Sequence, residues 1–355
     1  MTSDPDAAPE ACVADTTRPF LSFLMTAYGT ERFVAATIES VLSQTRTDWE
    51  LIAVDNGGSD EMAEIIGRYT ADPRIVLVRQ ENKGIRGGVT AAADAATGRF
   101  LCVLNSDDML LPDYCERVGA MIDADPDIDA VGCDGELFYD PDDGTPPPKS
   151  YFASIGRRSV PDPSRAVTLG EFLDEGVPLY IGAFRREVWD AHRGFDPATT
   201  DVEPDVALWL SAAAAGDHIR VLPDRLARMR LRPDSASRHP TRIDDFQVRL
   251  LRSFQLALAQ QPHSHNGSPE SRALRGLRYE HNLRRARCSL LAGDVSTARS
   301  AARDAYRERH TLRAAVVVAA LHISPDTLRR VHPVKNTAQH TIDRARWHIS
   351  RAVGP

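Results

Sequence analysis

The chain has 355 residues, 42% of them hydrophobic, enough for one large domain or two of ordinary size. Its net charge of −7 is unevenly spread: from residue 240 on there are 20 Lys and Arg against 9 Asp and Glu, and before it 23 against 41. The five cysteines (Cys12, Cys102, Cys115, Cys133 and Cys288) are scattered and form no CxxC pair, which argues against a disulfide framework or zinc ribbon and fits a reducing cytoplasm.

Residues 1–18 are acidic and rich in Pro and Ala, lack the apolar core of a signal peptide, and read as a disordered lead-in. No run approaches the roughly 20 apolar residues of a transmembrane helix. Residues 20–27 form a continuous apolar run, as in a strand buried on both faces. Residues 31–44 switch to helical period, with Val34, Ile38, Val41 and Leu42 on one face. Strand 49–54, helix 59–69 capped by Ser59 or Asp60, strand 74–79, an Ala-rich helix over 86–97 with Gly98 at its C′ position, and strand 99–104 follow. Helices alternating with apolar strands predict a parallel sheet with right-handed crossovers.

Ligands of such sheets bind outside the carboxyl ends of the strands. Thr26 and Tyr28 fall after the first strand, and Asp55, Asn56, Gly57 and Gly58 after the second. Asn82, Gly84 and Arg86 follow the third, Asp107 and Asp108 the fourth. Two adjacent carboxylates at a strand end need water, a cation or a metal, because neither packs into a core unpartnered. Beyond them the pattern predicts a helix after Pro112 and strands at 130–133 and 137–139. A long loop over 140–165, a strand running into a short helix over 177–189, a helix over 205–215 ended by Gly216, and strands at 218–223 and 225–232 come next. There is no GxGxxG, P-loop or nucleophile elbow, which argues against a nicotinamide-dependent oxidoreductase.

In this order and spacing, five segments between about 20 and 237 resemble the inverting family 2 glycosyltransferases, which have the GT-A fold. They are LSFLMTAYG, SVLSQTRTDWELIAVDNGGSDE, ENKGIRGGVTAAADAATGRFLCVLNSDDMLLPD, AFRREVWDAHRGFD and DVALWLSAAAAG. The resemblance implies a mixed, mainly parallel α/β sheet flanked by helices. It implies a GT-A catalytic domain over 19–239, leaving 240–355 as a basic helical C-terminal region. It further implies a nucleoside diphosphate sugar donor, UDP-linked first, and a hydroxyl acceptor in glycan, glycolipid or glycoconjugate biosynthesis.

By the same resemblance Asp108 is the first-choice ligand of Mn²⁺ or Mg²⁺, with Asp107 on the ribose or helping the metal. Asn56 stands where relatives carry an acid that accepts from the base, and its amide can donate as well as accept. Asp55 either contacts ribose or base or shapes the turn. Thr26 and Tyr28 are candidate base contacts. Asp205 is the expected general base that takes the acceptor proton, with Glu203 as its substitute. Val89 and Thr90 replace an Arg-Asn pair of the family, and Arg86 is the candidate replacement for that Arg. Arg232 replaces a His in an Arg-x-His segment, so Arg230 and Arg232 are either diphosphate contacts or solvated charges. Without a QxxRW stretch or membrane helices, a processive polymer synthase is disfavoured. The alternative reading is a nucleotide-sugar binding protein that has lost catalysis.

The tail reads as helices over 243–260, 270–292, 295–308, 311–322 and 325–331. Its cluster Arg275, Arg278, Arg284, Arg285 and Arg287 fits either docking to the acidic unit or a second copy, or peripheral contact with an anionic inner membrane face. It is not interleaved with aromatics as a nucleic-acid surface is.

Overall fold

The computed structural model describes residues 18–140, 147, 150–232, 243–259 and 269–329. The lead-in over 1–17, most of the tip of the 140–165 loop, residues 233–242 and the end of the last expected helix lie outside the described residues. In chain order the elements are β1 (Leu21–Ala27), α1 (Glu31–Leu42), β2 (Trp49–Asp55), α2 (Asp60–Gly67), β3 (Ile75–Arg79), α3 (Gly84–Ala95), β4 (Phe100–Asn105), β5 (Met109–Leu110) and α4 (Tyr114–Ala124). Then come β6 (Ala130–Tyr139), α5 (Tyr151–Ser154), α6 (Leu169–Glu175), β7 (Ala183–Arg185), α7 (Arg186–Ala191), α8 (Pro204–Ala215) and β8 (Ile219–Leu231). The tail supplies α9 (Ile243–Ala259), α10 (Pro269–Ala292), α11 (Val295–Glu308) and α12 (Leu312–Ile323).

The eight described strands form one mixed sheet in the order β3-β2-β1-β4-β7-β6-β8-β5. β1, β2, β3 and β4 run parallel, and β7 is antiparallel to both of its neighbours. All seven residues of β1 are buried. They alternate as a strand must: Leu21, Phe23, Met25 and Ala27 enter the core formed with Val34 and Ile38 of α1 and Val118 of α4. Leu24 faces the opposite core, shared with Val89 of α3, Trp209 of α8 and Phe254 of α9. One core layer thus includes both the sheet and the first tail helix.

Several local expectations are corrected by packing. The two segments 218–223 and 225–232 are one strand, β8, and the two short strands after Ala130 are one strand, β6. Between them the register shifts at Gly132/Asp134 and Asp134/Gly135, a bulge that leaves room for Pro223, which has no N–H to give to a ladder. Gly98 is not a helix cap, since α3 ends at Ala95 with Ala96 extended. Instead its N–H donates to Ser22 Oγ at 2.8 Å and Glu50 Oε1 at 2.9 Å, and a Cβ there would lie 2.4 Å from Ser22 Oγ. The 140–165 stretch contains α5, pinned where Phe152 N–H donates to Asp134 Oδ1 at 2.9 Å. β7 is only three residues long and β5 only two. α8 begins at Pro204 with Asp205 in its first turn, and Gly216 ends it in the left-handed region at φ 86°.

Candidate active site

A polar cavity of about 320 Å³ opens at the carboxyl ends of the parallel strands. Thr26, Tyr28 and Thr30 line it from the end of β1, Asn56 from β2, Asn82, Gly84 and Ile85 from β3 and the start of α3, and Asn105, Ser106 and Asp107 from β4. Arg232, just past β8, closes its far side. Thr26 lies low in the wall with its hydroxyl buried and unpartnered among the described residues. Gly88 lets α3 settle on it, since a Cβ there would lie 2.2 Å from the Thr26 methyl. Tyr28 is 63% exposed at the rim. Its ring lies on Gly57, where a Cβ would come within 2.9 Å of Cδ2. An exposed aromatic at the rim of a polar cavity offers a flat apolar face to a base.

The acidic pair is split by its surroundings. β5 pairs with β8 immediately after the turn, so the end of β8 folds over Asp108. Asp108 is 2% exposed, accepts from Tyr180 Oη at 2.6 Å on one oxygen and from the Arg230 backbone N–H at 2.6 Å on the other. Burial, and then the charge of Asp107, push it up to about 7. Asp107 instead lines the cavity, with Arg232 Nε 3.3 Å from its Oδ2. Of the two carboxylates it is therefore Asp107 that lines the cavity. Arg230 points away from the cavity, donating to the Asp107 carbonyl at 2.8 Å, pairing with Asp140 and stacking 4.3 Å from the Phe33 ring centre.

Three other residues expected to contact substrate are occupied by the protein. Asp55 is 1% exposed, accepting from Ser59 N–H at 3.1 Å and Arg79 Nε at 3.1 Å, so it shapes the turn rather than facing the cavity. Asn56 lines the cavity, but its side-chain oxygen accepts from Gln80 Nε2 at 2.7 Å and Lys83 N–H at 3.2 Å, and its Nδ2 donates to the Gly84 carbonyl at 3.0 Å. It braces the turn into α3. Arg86 reaches sideways to the carbonyls of Asp196 and Val202 and to Thr199 Oγ1. It clamps the segment that leads into α8.

Asp205 is not among the residues lining the cavity; it lies beyond Arg86, whose charge acts on it and on Glu203. Burial raises the Asp205 carboxyl, opposed by the backbone N–H groups at the start of α8 and by Arg86. Glu203 is pushed up to about 7 by burial and then by Asp205. A tail helix supplies its countercharge: Arg249 of α9 donates through Nε to Glu203 Oε1 at 2.7 Å. Ser253, one turn on, accepts the Glu203 backbone N–H at 3.0 Å. Arg252 pairs with Asp201 at 3.1 Å. Part of the basic surplus of the tail is thus engaged in docking on the acidic unit.

Among the described residues no three His, Cys, Asp or Glu side chains converge as a metal cage. The cavity fits a hard divalent cation when the bound ligand contributes oxygens, because Asp107 offers a carboxylate there and its charge bears on Asp108 beneath. Sequence reasoning passed over Tyr180, Arg249 and Ser253. A Tyr within the apolar run VPLYIGAF was the available signal, since a phenol in such a setting needs a partner. Arg249 and Ser253 lie in a helix whose apolar face alone was read.

A sheet with a polar cavity at its parallel strand ends, an acid pair after β4 and a flanking helix carrying a further acid is a GT-A architecture. Residues 22–166 match the model of the family described as Glycosyl transferase family 2, and that stretch is a family 2 glycosyltransferase domain. The chain is 35% identical over 101 residues to the putative glycosyltransferase EpsH of Bacillus subtilis (strain 168), a match covering 28% of this chain and 29% of EpsH. The chain therefore spans under a third of that relative. S. aureus TarS (residues 1–349) in complex with UDP-GlcNAc superposes with a TM-score of 0.56 at 15% identity, over 92% of this chain and 91% of that one. Mannosyltransferase PcManGT of Pyrobaculum calidifontis in complex with GDP-Man and Mn²⁺ superposes with a TM-score of 0.56 at 19% identity, over 93% and 87%. At such identities the two structures show the fold. No described helix is long and apolar enough to cross a membrane.

Proposed function

We propose that the protein is an inverting glycosyltransferase that moves a sugar from a nucleoside diphosphate donor to an acceptor hydroxyl. The observation that carries this is the convergence of all four strand ends on one polar cavity that holds Asp107. The nucleoside lies on the β1 and β2 side, with Tyr28 against the base and Thr26 beneath it. The diphosphate lies toward Asp107 and Arg232. A Mn²⁺ or Mg²⁺ ion held by Asp107 and the donor phosphates, with Asp108 below, would offset the charge that grows on the leaving diphosphate. The structural neighbours support the donor class and leave the base open, since TarS is in complex with UDP-GlcNAc and PcManGT with GDP-Man.

Asp205 takes the proton as the acceptor oxygen attacks the anomeric carbon and the sugar–phosphate bond breaks. A carboxyl raised by burial is a better base than a solvated one. Its place in the first turn of α8, with Arg86 clamping the preceding segment, fixes its direction. Asp55, Asn56 and Arg86 serve the site indirectly, by shaping the turns that carry Tyr28's neighbours, α3 and Asp205. The test is release of nucleoside diphosphate from a panel of UDP-, GDP- and dTDP-sugars with Mn²⁺ and simple glycoside acceptors. Consumption of one donor in preference to the rest is expected. Tight binding with no turnover of any donor points instead to a nucleotide-sugar binding protein.

A further inference from the structure

Of the two arginines at the end of β8, only Arg232 lines the cavity, and it lies against the carboxylate expected to share a metal. Both side chains are largely withdrawn from water, Arg232 at 16% and Asp107 at 18% exposed. The guanidinium is steadied by the Phe33 ring, whose centre is 5.2 Å away. Its neighbour Arg230 is engaged instead by Asp140 and the Asp107 carbonyl. The cavity thus has a resident cation against the Asp107 carboxylate.

We infer that Arg232 bridges Asp107 and the donor diphosphate, so that this site binds a nucleoside diphosphate without metal. The inference rests on the donor reading given above. A guanidinium presents several N–H donors in one plane, enough to keep one on the carboxylate while others meet phosphate oxygens. Without that bridge, Asp107 and the diphosphate would repel each other across a small, poorly hydrated space, and only a cation from solution could join them. A divalent ion entering the wild-type site competes with Arg232 for the Asp107 carboxylate, which weakens the ion's hold. Arg232 therefore sets how far the site depends on metal.

The experiment is calorimetric titration of the full chain with UDP and with GDP, once in EDTA and once in Mn²⁺. Wild type should bind one of them in EDTA with an affinity within about tenfold of that in Mn²⁺. Arg232→Gln should lose roughly 10- to 100-fold in EDTA and much less in Mn²⁺. Asp107→Asn should keep metal-free binding and lose the gain from Mn²⁺, and the binding that Arg232→Gln retains in Mn²⁺ guards against misfolding of that variant. Wild-type binding that appears only with Mn²⁺, or an Arg232→Gln protein unaffected in EDTA, overturns the inference and leaves the donor reading standing. Absence of binding to either nucleotide under both conditions overturns the donor reading and this inference with it.

Discussion

Replacing Arg249 by Met isolates the contact through which the tail holds the start of α8. Arg249 Nε lies 2.7 Å from Glu203 Oε1, and the Glu203 side chain is 12% exposed, so the variant leaves a mostly buried carboxylate without its countercharge. Glu203 already stands at about 7 against an ordinary 4.5, from burial and from Asp205, with Arg249 pulling it down. A carboxyl raised on folding stabilises the fold while protonated, and that contribution is lost as pH rises from the unfolded value through the folded one. Without Arg249 the folded value climbs further, and each unit is worth about 1.4 kcal/mol where wild type is ionised. At pH 5.5, with Glu203 protonated in both proteins, only a hydrogen bond is lost, roughly 1 kcal/mol. At pH 8.5 the loss should reach about 2 to 3 kcal/mol. Urea unfolding at the two pH values measures it, and in a Glu203→Gln background the pH dependence should vanish. Equal losses at both pH values, or none, would refute the coupling and the electrostatic account of α9 docking.

Gly88→Ala should cost about 1 to 3 kcal/mol, because its Cβ would lie 2.2 Å from the Thr26 methyl between α3 and β1. Adding Thr26→Ala should recover at least half of that loss in the same unfolding assay. A chain ending at residue 239 loses Phe254, Ala257 and Leu258, which share a core with Trp209 and Leu210 of α8. At about 1.5 to 3 kcal/mol per large buried side chain, the shortened chain should melt well below the full chain or fail to fold cooperatively. Calorimetry showing an unchanged melting temperature would mean that the tail is a separate body.

The parallel half of the sheet was legible because a continuous buried run and a 3.6-residue period are local signals, and β1 to β4 carry them cleanly. The four main tail helices were legible for the same reason, although their docking was not. β5 escaped because two residues carry no period, and Pro223 splits the pattern of the single long β8, where it sits among the extra residues by which β8 bulges against β6. At the site, the strand ends marked which loops face the cavity. They did not mark which side chain in each loop does. Asp107 and Asp108 are neighbours in an acidic turn, and which one is buried depends on Tyr180, 72 residues on, and Arg230, 122 residues from Asp108. Asn56 and Arg86 likewise carry the right chemistry for a ligand, but their partners come from Gln80, Lys83, Asp196 and Val202, contacts that only the tertiary fold creates.

In the proposed mechanism Asp205 serves as the base beside a cavity that it does not line. The most direct test of that role is Asp205→Asn, measured with whichever donor the wild-type chain consumes. Nucleoside diphosphate release should fall by about 10²- to 10⁴-fold, while nucleoside diphosphate affinity by calorimetry stays within a few-fold. Release that persists within tenfold of wild type, or affinity lost together with release, would contradict it.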